Sequence, residues 1–412
     1  MLTLIITAAS IAILVAVFKN KRKETYDDDF GNAGEVISRW NKGFVIDGTR
    51  RLTREASFRN VLVQGGVGSG KTQSIAIPFL RSINDASVIV NDPSGELLSA
   101  SWPDLKRNGF DIQMVQFRNP EKSMGYNPFA RAKTNGEINK VSQLIVQSTL
   151  KNSPDQFWNQ LSVSVISMLA KSLPDEYRNL ANIKRLLELL HAQPKTMDAF
   201  FSRQNERLYN SYSSFWGFGD KIVSGVVANA LASLQILEDD DVVRVLSHDT
   251  LGDFSNFRKK KTAVFIINNT MDTQYLRFAV DCFFTQLFEA QLSTLPAPTD
   301  LDLFLVLDEF GSSMHIPQIG QAAATLRKTR TGLLLINQSS SQLEHYGKDI
   351  ADTIRSCCYT KLYLPGGISV SEAQALEKRG GRFEYEDDKG VRRVRELITT
   401  AEILKIAPET GI

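Results

Sequence analysis

The chain has 412 residues, 42% of them hydrophobic and 23% charged, a balance that excludes a disordered tail protein, a collagen and a small disulfide scaffold. At roughly 150 residues per domain its length suits two or three domains. Its 48 basic and 46 acidic side chains leave a net charge of +2, so any contact with nucleic acid has to be local.

The chain opens on an uncharged apolar run, residues 2–18. At ~1.5 Å per residue it spans about 26 Å, enough for the hydrocarbon core of a bilayer. Lys19, Lys21, Arg22 and Lys23 follow at once and nothing basic precedes the run, the reverse of a cleaved signal peptide. By the positive-inside rule the rest of the chain lies in the cytoplasm. Residues 1–23 therefore read as a single-span membrane anchor with a basic flank suited to anionic headgroups. A signal peptide and a buried helix are the competing readings. Tyr26–Asp29 reads as a solvated linker within residues 24–54, which lead into the globular part.

Short β-branched runs then alternate with helical stretches. Strands are expected at Asn60–Gln64, Ser87–Asp92, Ile112–Phe117, Thr262–Asn268, Leu303–Asp308, Gly332–Asn337 and Cys358–Leu364. Several are continuously apolar, the mark of a parallel sheet covered on both faces. Residues from about 130 to 255 carry helix signals only. Ser153-Pro154-Asp155-Gln156 forms a capping box that opens a helix running to about Ser172, and further helices are expected at Ile183–Ala192, Thr196–Tyr209 and Lys221–Glu238. The expected architecture is an α/β sheet domain, residues 55–130 and 256–412, with an all-α domain, residues 131–255, inserted in it. Cys282, Cys357, Cys358 and four scattered histidines show neither a disulfide framework nor a metal-ligand spacing, which suits a reducing cytosol.

Gly65-Gly66-Val67-Gly68-Ser69-Gly70-Lys71-Thr72 matches the phosphate-loop pattern G-x-x-x-x-G-K-[ST]. Glycines let successive backbone N–H groups curl toward phosphates, Lys71 can reach the β- and γ-oxygens, and the Thr72 hydroxyl can ligate Mg²⁺. An expected strand before it and a helix from Gln73 after it supply the required context; the alternative, an ordinary glycine-rich turn, would not need Lys-Thr at that place. The expected strand Leu303–Asp308 ends in two carboxylates. Asp308 is placed to hold Mg²⁺ through water, and Glu309 to orient or deprotonate an attacking water. The bland alternative makes both exposed turn residues. Gln338 follows the next strand and comes beside Asp308 if the two strands are neighbours. Between those strands a helix over Ile319–Thr329 carries Arg327 and Lys328, with Arg330 just beyond. Either arginine could stabilise phosphoryl charge across a subunit boundary, or simply solvate a helix end. No Asn-Lys-x-Asp guanine-reading motif is present, which favours ATP over GTP.

The phosphate loop does not stand alone. With it come Asn91-Asp92-Pro93-Ser94-Gly95-Glu96-Leu97, Tyr126-Asn127-Pro128-Phe129, Phe157-Trp158, Leu307-Asp308-Glu309-Phe310, and Gln338-Ser339-Ser340-Ser341-Gln342-Leu343 with Tyr346-Gly347. From about residue 55 onward the chain thus resembles the type IV secretion coupling proteins, the membrane-anchored ATPases of bacterial conjugation. The resemblance implies a RecA-like P-loop motor domain of the FtsK–HerA kind with an inserted all-α domain. It implies ATP and Mg²⁺ as cofactors, and a homo-oligomer, a hexameric ring, anchored in the bacterial inner membrane. Such a ring hands relaxase–DNA or protein substrates to the channel proteins of type IV secretion. By the same resemblance Lys71 and Thr72 bind phosphate and metal, and Asp308 and Glu309 form the acidic pair. Gln338 matches the glutamine after the next strand. Arg327, eighteen residues after Glu309, matches the trans-acting arginine. Three features depart from the pattern. Ser94 stands where the family often has lysine, one apolar run replaces the usual two, and the chain ends at Ile412 soon after Leu397–Ile406, where many members carry a docking tail. Substrate recruitment is then expected to rest on the helical domain or a separate adaptor.

A translocase needs a positive channel rather than a basic surface overall. Arg258-Lys259-Lys260-Lys261, Arg327-Lys328 with Arg330, and Lys378-Arg379 with Arg382 are the candidates for DNA contact, each with a solvated turn as the blander reading. Phe200, Phe201, Phe215 and Trp216 could stack on bases, but helix-core packing is the better expectation. The rival functions are a nucleotide-gated scaffold that recruits protein cargo and another ring DNA translocase of the same superfamily.

Overall fold

The computed structural model describes residues 4–6, 33–150, 156–267, 273–314, 316, 318–364 and 366–405. All seven expected strands are present: β1 (Val61–Gln64), β2 (Ala86–Asn91), β3 (Asp111–Gln116), β4 (Thr262–Ile267), β5 (Asp302–Leu307), β6 (Thr331–Asn337) and β7 (Thr360–Tyr363). They form one parallel sheet in the order β7-β1-β6-β5-β2-β4-β3. Leu4–Ile6 pairs in parallel with the outer edge of β7. The rest of the apolar run 2–18 lies outside the described residues. Among the described residues no helix is long and apolar enough to cross a membrane.

Every residue of β1, β2 and β6 is buried, as a sheet covered on both faces demands. Side chains alternate between the faces. Val61, Val63, Val88, Val90, Val306 and Ile336 pack in one core with Ile75, Phe79 and Leu97 of the segments that follow β1 and β2. Phe304 is the hub of that layer, with ring centroids 4.9 Å from Phe44 and 5.4 Å from Phe79. Leu62, Ile89, Leu305 and Leu335 face the other way, into a core that continues without a break into the helical segment.

Between β3 and β4 the described chain contains helices and no strand. They are Asn135–Thr149, Gln156–Ser172, Leu180–Ala192, Pro194–Phe201, Glu206–Trp216, Asp220–Ser233 and Asp240–Leu246. The expected capping box at Ser153 lies outside the described residues. The single helix expected over Thr196–Tyr209 is in fact two, because Asn205 accepts a hydrogen bond from the Leu208 N–H and starts a new helix. The helix expected to reach Glu238 ends at Ser233 and continues only as a 3₁₀ turn. Helix Asn135–Thr149 was not expected, although Thr134 and Glu137 form a reciprocal capping box at its start.

Tyr126–Phe129 joins the helical segment to the sheet. Tyr126 is fully buried and its hydroxyl donates to Gln286 Oε1 (2.7 Å), while Asn127 Nδ2 donates to the Arg178 carbonyl (2.8 Å). Phe201 stacks on Tyr212 at 4.4 Å, and Phe201 and Phe215 are buried, so both serve the core. After β7 come helix Val370–Gly380 and an antiparallel hairpin, Arg382–Glu386 with Arg392–Glu396.

Candidate functional site

Parallel register aligns the carboxyl ends of the central strands. Gln64 of β1 stands opposite Asn337 of β6, Leu307 of β5 opposite Leu335 of β6, and Asn91 of β2 opposite Leu307. The chain leaving β1 is Gly65–Thr72, that leaving β5 is Asp308-Glu309, and that leaving β6 is Gln338. The fold therefore gathers every sequence-selected site residue except Arg327 at one rim.

In the loop, Gly68 and Gly70 take φ of +73° and +80°, which side-chain-bearing residues rarely adopt. The Gly65 N–H donates to the Asn337 carbonyl (3.2 Å). The Lys71 ammonium donates to the carbonyls of Gly65 (2.5 Å) and Gly66 (2.8 Å), so it lies back along the loop. Burial lowers its pKa, and the charges of Asp308 and Glu309 oppose that shift. The helix after the loop starts with a wide π turn at Thr72–Ala76 before the α-helix Ile77–Ser82. The wide turn precedes Pro78, whose ring would crowd the carbonyl four residues earlier in a regular helix.

Asp308 is buried, and its Oδ1 accepts the Glu309 N–H (3.0 Å). Burial pushes its pKa up to about 6, with further push from the carboxylates of Glu309 and Asp92 and relief from Lys71. Glu309 adopts φ +49°, a left-handed conformation that costs a non-glycine residue roughly 1–2 kcal/mol. Backbone strain of this kind clusters at functional sites. Asp92, at the end of β2, is also fully buried, accepts the Leu98 N–H (2.8 Å), and has a raised pKa from burial. Its buried place at the rim was not picked out from sequence. The signal available was an apolar strand ending in a carboxylate, as at Asp308. Ser94 is exposed and its Oγ accepts the Glu96 N–H (3.2 Å), which makes it a helix-start residue.

Gln338 is half-buried, and its N–H donates to Gln342 Oε1 (2.9 Å). Arg327 lies in the 3₁₀ turn Leu326–Thr329 that leads into β6. It is exposed, and among the described residues its guanidinium makes no hydrogen bond or ion pair. Arg330 is committed elsewhere, donating to the carbonyls of Ala297 (3.0 Å) and Asp300 (2.6 Å). The cluster 258–261 is committed as well. Arg258 is buried and donates to Gln291 and Thr331, Lys259 pairs with Asp300, Lys260 with Asp111, and Lys261 donates to the Asn108 carbonyl. These side chains fasten the amino ends of the strands; Arg258 is buried rather than part of a solvated turn, while Lys259 and Lys260 stay largely exposed. Lys378 and Arg379 are exposed, while Arg382 pairs with Glu396. A cavity of about 810 Å³ between helices Asn135–Thr149 and Thr273–Ser293 includes none of the rim residues.

The donor set suits a phosphate-bound Mg²⁺: the Thr72 hydroxyl and the buried Asp308 carboxylate. Without metal, a charged Asp308 is a liability. In the fold it keeps its proton up to about pH 6, against 3.8 for an ordinary aspartate, so its contribution to stability is complete below about pH 4 and is lost as pH rises through 6. Metal-free Asp308→Asn is therefore expected to unfold later than the parent at pH 8, by on the order of 1–3 kcal/mol, and by about a third of that near pH 4.5. Thermal unfolding in chelator at both pH values checks this. Equal stability at pH 8 would contradict it.

The profile of the family described as type IV secretory system conjugative DNA transfer matches residues 17–392. Three solved structures of the conjugative coupling protein TrwB share the fold. Its unbound monoclinic form has a TM-score of 0.69 at 19% identity, covering 94% of this chain and 90% of that one. The trigonal form with sulphate gives 0.68 at 18%, covering 94% and 89%. The form with ADP and Mg²⁺ gives 0.66 at 18%, covering 94% and 91%. At these identities the likeness is one of fold. No curated protein sequence matches the chain.

Proposed function

The chain belongs to the type IV secretory system family of conjugative DNA transfer, and we propose that it is a membrane-anchored ATPase that couples hydrolysis to passage of DNA, as relaxase–DNA, or of protein substrate into a type IV secretion channel. The observation that carries this reading is the meeting of Gly65–Thr72, Asp308, Glu309 and Gln338 at the ends of three adjacent parallel strands.

In this reading residues 1–23 anchor the chain in the bacterial inner membrane with the remainder cytoplasmic, which requires Leu4–Ile6 to leave the edge of β7; residues 55–130 and 256–412 form a RecA-like motor, and residues 131–255 form an inserted all-α domain. Six copies close into a ring. The N–H groups of Gly65–Thr72 bind the phosphates of ATP, and Lys71 exchanges the Gly65 and Gly66 carbonyls for phosphate oxygens. Thr72 and Asp308 hold Mg²⁺, which supplies charge neutralisation on the phosphates. Glu309 orients the attacking water and takes its proton, Gln338 hydrogen-bonds the γ-phosphate or that water, and Arg327 reaches the site of the neighbouring subunit.

Lys71→Ala tests the foundation. It is expected to abolish ATP binding, measured by titration of a fluorescent ATP analogue. Retained tight binding would remove the phosphate-loop assignment.

A further inference from the structure

We infer that Asn337 is a positioning residue that holds the phosphate loop, the Glu309 turn and Gln338 in one register; the inference rests on the hydrolytic reading above. Asn337 is the last residue of β6 and is 1% exposed. Its carbonyl accepts the Gly65 N–H (3.2 Å), the first N–H of the phosphate loop. Its side-chain Oδ1 accepts the Gly311 N–H (2.7 Å), two residues past Glu309. The next residue along the chain is Gln338. A single buried residue thus touches, or is bonded to, all three segments of the rim.

The Glu309 turn depends on such a tether. Glu309 is held in a left-handed conformation, and the helix it opens, Phe310–Ser313, is only four residues long. A segment this short does not fix its own geometry. The contact at Gly311 is also close. A Cβ there would lie 2.5 Å from Gln342 Cβ and 3.0 Å from Asn337 Oδ1, so only glycine lets the turn come this near. Gln342 in turn accepts the Gln338 N–H. Position 309 is thereby set from β6, the strand that also delivers Gln338.

The amide of Asn337 is used on one side only. Its Nδ2 has no partner among the described residues, nor has either amide atom of Gln64, its register partner. Leu62 and Leu335, two residues earlier on the two strands, share one core, so Gln64 and Asn337 lie on the same face. The acceptor is therefore the working half of Asn337. A carboxyl group in its place keeps that acceptor in either protonation state, whereas leucine of similar shape has none.

The test compares Asn337→Leu and Asn337→Asp with the parent and with Glu309→Gln, using the full chain in detergent. The readouts are steady-state ATPase, affinity for a fluorescent ATP analogue, thermal unfolding and hydrogen exchange at the Gly311 amide. The leucine variant is expected to bind the analogue within about 5-fold of the parent yet lose about 10²-fold in kcat, the scale of a misplaced catalytic group. The aspartate variant is expected to recover kcat to within about 10-fold, and Gly311 exchange is expected to accelerate in the leucine variant alone. The inference is overturned if the leucine variant keeps its kcat, if the aspartate variant is as inactive as leucine, or if kcat falls only in step with affinity and melting temperature. A parent without turnover would defeat the hydrolytic reading, and the Gly311 exchange rates would still decide whether Asn337 holds the loop.

Discussion

Arg327→Ala is expected to keep ATP binding and to lose turnover by about 10³–10⁵-fold, the range for an arginine that stabilises phosphoryl-transfer charge. The geometry dictates how it can act. Arg327 precedes β6, whereas the phosphate loop, Asp308, Glu309 and Gln338 all follow the opposite ends of their strands. The seven residues of β6, at ~3.3 Å each, separate the two ends by about 20 Å. An exposed guanidinium that far from its own rim does not reach it, so the proposed role of Arg327 requires the rim of another copy. Mixing Arg327→Ala subunits with Glu309→Gln subunits should therefore restore turnover at about one interface in four, wherever an intact Glu309 site meets an intact Arg327. No recovery on mixing would contradict a role across the interface. Arg330, which is equally basic and three residues on, is spent on the carbonyls of Ala297 and Asp300. Its substitution should act on stability, with no recovery in mixed rings.

Glu309→Gln is the second large effect. The glutamine keeps the shape and the left-handed backbone but cannot take a proton from water. A loss of about 10²–10⁴-fold in turnover is expected, with ATP and Mg²⁺ binding retained, because Thr72 and Asp308 are untouched. Steady-state hydrolysis and analogue titration on the same preparation separate the two. Turnover at the parent rate would remove the catalytic role from Glu309 and shift attention to the neighbouring carboxylates.

Much of this was legible in the sequence for a simple reason. The central strands are buried on both faces, so they appear as unbroken apolar runs, and the candidate site residues sit one or two positions after each run ends. Gly65, Asp308 and Gln338 all obey that rule. Asp92 obeys it too, and its burial beside Asp308 follows from β2 and β5 being neighbours, which a linear pattern does not show. Other features depend on contacts far apart in sequence. The basic run at 258–261 shows only its charge in the sequence; that Asp111, Gln291 and Asp300 pair with it is a matter of tertiary contact. The Asn337–Gly311 hydrogen bond links residues 26 apart, and neither residue type signals it. The helical segment was legible as helical but not in its breaks. The restart at Asn205 rests on one cap inside an aromatic-rich stretch, where helix periodicity continues across the gap.

The proposed function requires an assembling, substrate-coupled ATPase with a site shared between copies. The most direct test is the ATPase rate of the full chain in detergent, measured across protein concentration with and without single- and double-stranded DNA. The specific rate is expected to rise with protein concentration and to rise again with DNA. A rate per chain that is flat in concentration and indifferent to DNA would contradict it.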